Sequence, residues 1–320
     1  MSAADAEGSR IDLDERFSEA GLVVFERGWL SSNNVLFGGD DSVPATLVDS
    51  GYWTHQEQTE ALLRRALGPD RQLGRLVNTH LHSDHCGGNE RLQRLYGCVV
   101  DVPAGEFDKV QRWDERELTY EATGQHCPRF EPQGRLHPGE TVRLGGRAWN
   151  VVASPGHDPE SVMFHDPTLG ILISADALWE DGFGVVFPEL EGIEAFADVE
   201  RTLELISGLN VDVVIPGHGR PFSDVSAALE RARGRLARFV ADPRKHALHA
   251  AKVLIKFHLL EVQAESRADL DAWLQSTAYF NAVHSEHFGG EAWSAWRVQL
   301  LEGLLRSRAI ELDGDTVRNL

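Results

Sequence analysis

Short apolar runs bounded by Gly, Pro, Asn and Asp recur along the first two thirds of the chain. They are LVVFERGW (22–29), NNVLFGG (33–39), ATLVDSG (45–51), RLVNTH (75–80), CVVDVP (98–103), TVRL (141–144), RAWNVVASP (147–155), GILISAD (170–176) and DVVIPGHG (212–219). Runs of this length and punctuation predict strands. Gly145-Gly146 between two of them predicts a hairpin. Helical periodicity falls in the gaps. Thr54 and Glu57 have capping-box spacing ahead of QTEALLRRAL, and ERLQRLYG (90–97) ends on a Gly suited to a helix stop. Phe196, Val199, Leu203 and Ile206 mark one apolar helix face, as do Leu229, Ala232, Leu236 and Phe239. Mixed strands and helices predict an α/β layered domain over residues 1–241. Pro243 in ADPRK interrupts helix there. Residues 242–320 read as a mostly helical appendage that ends in a hairpin around Asp313-Gly314, an order that suggests a winged-helix-like unit.

Charge narrows the partners. The chain carries a net charge of −19 over 320 residues. Residues 225–320 hold 13 of its 31 Lys and Arg but only 12 of its 50 Asp and Glu, so the acidity belongs to the first part. An acidic surface repels phosphate backbones, which argues against nucleic acid and leaves small-molecule substrates. The sequence contains no stretch long and apolar enough for a membrane span, and its polar, acidic N-terminus has no apolar signal core. Three Cys (Cys86, Cys98, Cys127) in a chain this long read as reduced thiols of a cytoplasmic protein. A homo-oligomer is compatible with all of this.

Candidate chemistry is concentrated in VNTHLHSDHCGG (77–88), where His80, His82, Asp84 and His85 occupy six positions directly after an apolar run. Buried polar groups need partners, so a core has no use for such a cluster. His157 follows VVASPG, Asp176 ends GILISA and His218 follows DVVIPG, each again at the end of a strand run. Strand ends are rigid ligand positions, and Gly156 and Gly217 allow the chain to turn there. Imidazole and carboxylate donors suit Zn²⁺ and also allow Fe or Mn. Cys86 is read as a bystander, because its neighbours already supply the site.

On the motifs DSG (49–51), THLHSDHCGG (79–88), SPGHDPES (154–161), SAD (174–176) and PGHG (216–219), the chain resembles the dinuclear members of the metallo-β-lactamase superfamily. The resemblance covers roughly residues 20–240 and implies a four-layer αββα sandwich with two divalent metals at one edge of its sheets. It implies that His80, His82 and His157 hold the first metal, that Asp84, His85 and His218 hold the second, and that Asp176 bridges them. Asp49 is either a hydrogen-bonding support for a ligand or a simple strand-end turn residue.

Two metals with an anionic bridge generate a hydroxide near neutral pH and polarise a carbonyl. The expected activity is therefore hydrolysis of an ester, lactone or thioester with a mostly apolar body by a metal-bridging hydroxide, with Asp84 orienting the nucleophile and passing its proton to the leaving group. Trp179, Phe183 and Phe187 follow Asp176 closely enough to wall the site. A glutathione-thioester hydrolase or a persulfide dioxygenase is the alternative, although residues 177–189 carry no cation to hold glutathione. A metal-binding sensor or scaffold is the reading from a different class. The aromatics Trp273, Tyr279, Phe280, Trp293 and Trp296 suggest that the appendage packs beside residues 177–189 and closes one wall of the cleft. His246 and His249, and His284 and His287, are expected on solvated helix faces, and His165 in a loop.

Overall fold

Neighbouring residues of the apolar runs face different cores, because side chains alternate across a strand. Val35 and Phe37 of one run enter an apolar cluster shared by both sheets of the molecule, whereas Leu36 between them enters a cluster under helices. Ile171 and Ile173 join the shared cluster, and Leu172 joins one on the opposite outer face. The computed structural model describes residues 11–39 and 43–320. The N-terminal stretch read above as free of a signal core lies, through Arg10, outside the described residues.

The first sheet has six strands in chain order: β1 Leu22–Phe25, β2 Asn34–Phe37, β3 Ala45–Val48, β4 Leu73–Val77, β5 Val99–Pro103 and β6 Gly134–Leu136. The second has β7 Thr141–Leu144, β8 Arg147–Ala153, β9 Val162–Asp166, β10 Ile171–Ala175 and β11 Val213–Pro216, in the order β11-β10-β9-β8-β7. Phe37, Val48 and Val77 of the first sheet meet Trp149, Phe164, Ile173 and Ile215 of the second, forming the central layer of the core. Helices Gln56–Leu67 and Asn89–Tyr96 cover the outer face of the first sheet. Helices Phe196–Gly208 and Val225–Ala241 cover that of the second. The layers therefore run helix, sheet, sheet, helix.

Strand direction positions the site. β3 and β4 are parallel, and so are β10 and β11. β8 and β10 each lie antiparallel to β9 and so point the same way. The segments leaving β3, β4, β8, β10 and β11 carry Asp49, His80 to His85, His157, Asp176 and His218 respectively.

The helix ending at Ala241 is followed, after Asp242, by helix Pro243–Val262 with its Pro at the first position. Pro lacks only an N–H that a helix start leaves unsatisfied anyway, so it both breaks one helix and opens the next. Helices Arg267–Ser276, Ala278–Phe288 and Trp293–Arg306 follow. A small sheet of β12 Ala264–Ser266, β13 Ile310–Asp313 and β14 Thr316–Asn319, in the order β12-β14-β13, completes this region. Its apolar cluster includes Leu254, Phe280 and Trp296, and also Val185 and Leu190 from the segment after β10.

Several expectations need correction. Thr54 does not cap its helix: residues Trp53–His55 form a 3₁₀ turn, and the following helix starts after His55 without a side-chain cap. His165 lies in β9, buried, with its Nε2 on the carbonyl of Asn210 at 2.9 Å. The helical His pairs do not face solvent either. His246 is buried and its Nε2 accepts the Val186 N–H at 3.1 Å. His249 accepts from Arg235, and half-buried His284 meets the Glu291 carbonyl. His246 and His249 pair with groups outside their own helix, which periodicity within one helix does not reveal.

Candidate metal centre

His80 and His82 leave β4 in extended chain, and the chain then coils into the short helix Ser83–Cys86 that carries Asp84 and His85. The result is two groups of donors side by side. In the first, His157 Nε2 lies 2.7 Å from His82 Nδ1 and 3.3 Å from His80 Nε2. In the second, His218 Nε2 lies 3.0 Å and His85 Nε2 3.8 Å from Asp84 Oδ2. Asp176 sits between them. Its Oδ2 is 3.3 Å from His157 of the first group, and its Oδ1 is 3.5 Å from His85 and 3.9 Å from His218 of the second. His80–His82–His157 and Asp84–His85–His218 each satisfy the spacing of a metal-binding triad. Asp49 and Asp176 both sit at distorted strand ends: Asp49 has φ 55° and Ala175 has φ 47°, conformations that non-glycine residues rarely adopt.

The ring nitrogens are oriented from behind. Asp49 Oδ2 accepts from His85 Nδ1 at 2.7 Å and from the Thr79 hydroxyl at 2.8 Å, while Oδ1 accepts the Thr79 N–H at 2.9 Å. Of its two readings, the geometry favours support of a ligand. His157 Nδ1 donates to the Val185 carbonyl at 2.6 Å, which leaves Nε2 as a lone pair facing the centre. With Nδ1 of His85 committed to Asp49, its buried Nε2 faces two carboxylates and has no hydrogen-bond partner. A lone pair aimed at two anions is costly unless a cation stands between them, so these residues fit a divalent metal. Gly217 is required by close approach: a Cβ there would lie 2.2 Å from Asp176 Oδ1.

Protonation states agree with ligand chemistry. Burial, then the charges of neighbouring imidazoles, holds His80 well below its ordinary pKa. Burial holds His82 and His157 down to about 4, so both rings are neutral donors at pH 7. Burial works against ionisation of Asp176, but His218, His85 and His157 outweigh it and hold the carboxyl well below the usual range.

Cys86 points elsewhere. Its Sγ lies 3.2 Å from the Tyr120 hydroxyl and 3.7 Å from Cys127 Sγ, and burial, then Cys127, pushes its thiol well above the ordinary range. A Cys86→Ala variant is expected to bind the same two equivalents of zinc as the wild type. Metal analysis giving one equivalent in either protein, unchanged by added zinc, would count against the paired site.

The predicted wall residues separate. Trp179 donates Nε1–H to Asp176 Oδ1 at 3.2 Å and stands edge-on to His218 at 5.4 Å. Phe187 is edge-on to His82 at 5.0 Å and to His157 at 5.6 Å. Phe183 is not at the centre: its ring is buried against Phe239 in the core under the second sheet. Two further aromatics join the site from distant segments. Trp29, 57% exposed, stacks on His218 with ring centroids 5.4 Å apart and meets Trp179 at 5.5 Å. Tyr279 packs on Phe187 at 5.5 Å and donates its hydroxyl to the Phe187 carbonyl at 3.0 Å. Trp29 is the last residue of the run 22–29, and a large aromatic at the end of an apolar run is too common to single out.

Known proteins resemble this chain in sequence and fold. The family model of the Metallo-beta-lactamase superfamily matches residues 27–218. A hydroxyacylglutathione hydrolase of Hyphomonas neptunium is 33% identical over 115 residues, 36% of this chain and 38% of that enzyme. The acyl-coenzyme A thioesterase MBLAC2 of Homo sapiens is 28% identical over 226 residues, 66% of this chain and 78% of that protein. The chain thus spans well under two thirds of the bacterial relative and about four fifths of the human one. Among solved structures, a metallo-beta-lactamase family protein of Thermus thermophilus has the same fold, with a TM-score of 0.55 at 21% identity, covering 94% of this chain and 99% of that one.

Proposed function

This chain belongs to the metallo-beta-lactamase superfamily, and from that membership we propose that it is a dinuclear metallo-hydrolase of thioesters with an apolar acyl group. The observation that carries the reading is the position of Asp176, with one oxygen toward each of two His-rich triads. His80, His82 and His157 hold one ion, and Asp84, His85 and His218 hold the other. Donors without thiolate favour Zn²⁺, with Fe or Mn allowed. Two ions bound there would acidify a shared water and polarise the scissile carbonyl.

The chain's own residues do the rest. Asp84 takes the proton of the attacking water as the new C–O bond forms. It returns a proton to the sulfur as the C–S bond breaks, so the products are a carboxylate and a free thiol. Asp49 keeps His85 in one tautomer. Trp29, Trp179 and Phe187 line the approach and suit an apolar acyl chain. Two relatives with thioesterase chemistry in their names support a thioester over a lactone or simple ester. The relative matched over more of its length is the acyl-coenzyme A enzyme, and residues 177–189 lack a cation for glutathione.

The test is a rate comparison on zinc-loaded protein among acyl-coenzyme A, acylglutathione, aryl ester and lactone substrates with matched acyl groups. Acyl-coenzyme A is expected to turn over fastest. Esters or lactones outrunning every thioester would overturn the proposal, as would inactivity on all substrates with two metals bound.

A further inference from the structure

A positively lined groove of about 610 Å³ opens beside the loop that follows Asp176. Arg231, Arg235 and Arg238 line it from one face of helix Val225–Ala241, at i, i+4 and i+7, and outnumber its two carboxylates, Asp181 and Glu230; Phe239 and His249 also line it. The setting is unusual in a chain of net charge −19.

Arg235 is the centre of the groove. Its guanidinium lies 5.5 Å from the ring centroids of both Phe183 and Phe239. It donates to His249 Nε2 at 2.6 Å and to the Asp181 carbonyl at 3.4 Å. Burial, then Arg235 itself, holds His249 down to about 3, so that acceptor is neutral. Among the described residues, no carboxylate pairs with Arg235 or Arg238. Arg231 alone is paired, to Asp181 at 3.2 Å on the exposed rim. A half-buried guanidinium fixed by two aromatic faces and a neutral imidazole, and lacking a counter-charge, is preorganised for an anion.

The groove is within reach of the metal centre. Trp179 and Gly182 close a tight turn through the Trp179 N–H to Gly182 carbonyl bond at 2.7 Å, with Asp181 at its tip. Asp181 lies five positions after Asp176, so the two cannot be more than about 18 Å apart. An extended pantetheine arm covers such a distance.

We propose that this groove holds the phosphate groups of the leaving thiol, making the substrate a coenzyme A thioester bound at one end by metal and at the other by arginine. The inference rests on the thioester reading above. It also explains how a loop without its own cation serves an anionic substrate: the adjacent helix supplies the charge.

The test uses full-length, zinc-loaded protein and two substrates with one acyl group, acyl-coenzyme A and acyl-pantetheine. Wild type should prefer acyl-coenzyme A through KM. Arg235→Gln and Arg238→Gln should each raise KM for it by roughly ten- to a hundredfold, leaving kcat and the acyl-pantetheine rate unchanged. Calorimetry should show adenosine 3′,5′-bisphosphate binding to wild type and weakening in both variants. Arg238 is exposed, so its variant keeps the test open if Arg235→Gln fails to fold. Equal KM for the two substrates in wild type would overturn the inference and leave the thioester reading standing. So would nucleotide binding that the substitutions weaken without changing KM for acyl-coenzyme A. Hydrolysis of neither thioester would overturn both.

Discussion

Asp84→Asn should lower kcat by roughly 10²- to 10⁴-fold, the usual worth of a general acid–base group, while KM changes far less. Asp84 Oδ2 lies 3.0 Å from His218 Nε2, which ties the carboxylate to the second triad and fixes its position. Asn has nearly the same shape and keeps an oxygen donor, but it cannot accept the proton of an attacking water. That loss is felt in the transition state and hardly at all in substrate binding. The measurement is steady-state kinetics paired with metal analysis of the same preparation. A variant that holds two metals and loses less than about tenfold in kcat would remove Asp84 from proton transfer.

The second large effect is expected at Phe187. Its ring faces His82 and His157, and Tyr279 from helix Ala278–Phe288 supports it from behind. Phe187→Ala removes an apolar surface worth about 1.5–3 kcal/mol when fully covered, so kcat/KM for a long-chain acyl thioester should fall roughly 10- to 100-fold. Tyr279→Phe keeps the supporting ring and loses one hydrogen bond worth about 1 kcal/mol, so its effect should be several-fold at most. An unchanged KM for long and short acyl chains in Phe187→Ala would show that this side of the cleft does not touch substrate. Deleting residues 242–320 is a poorer probe of the same wall. Val185 and Leu190 belong to the apolar cluster of that region, and the cut would leave them facing water.

The clustering of the candidate metal ligands was readable because a sheet edge imposes spacing. His80 and His82 stand two apart in extended chain, and Asp176 and His218 each directly follow a buried run that has to end somewhere. The strands were readable where both faces are apolar, as in β10 and β11. β9 was missed because His165 and Asp166 interrupt its apolar pattern, although both are buried and bonded. The substrate side was far less legible. Trp29 reaches His218 from the turn before β2, and Tyr279 reaches Phe187 across 92 positions. Phe183 sits four residues from Phe187 yet turns into the core. Proximity in sequence places a ligand at a strand end well, but it does not say which way a loop side chain points once two helices pack on it.

The sharing of Val185 and Leu190 between the active-site segment and the C-terminal cluster bears on how the enzyme breathes. A surface loop normally opens at little cost, independently of the elements it joins. Here the segment is pinned by the His246 acceptor on the Val186 N–H and by the Tyr279 hydroxyl on the Phe187 carbonyl. Its backbone amides should therefore exchange with solvent as slowly as those of helix Pro243–Val262, because both are released by one opening event. The opposite rim is the more exposed one, where Trp29 stands 57% exposed over His218. The cleft then has one jaw braced by the end of the chain and another, built from its beginning, whose Trp29 ring faces solvent.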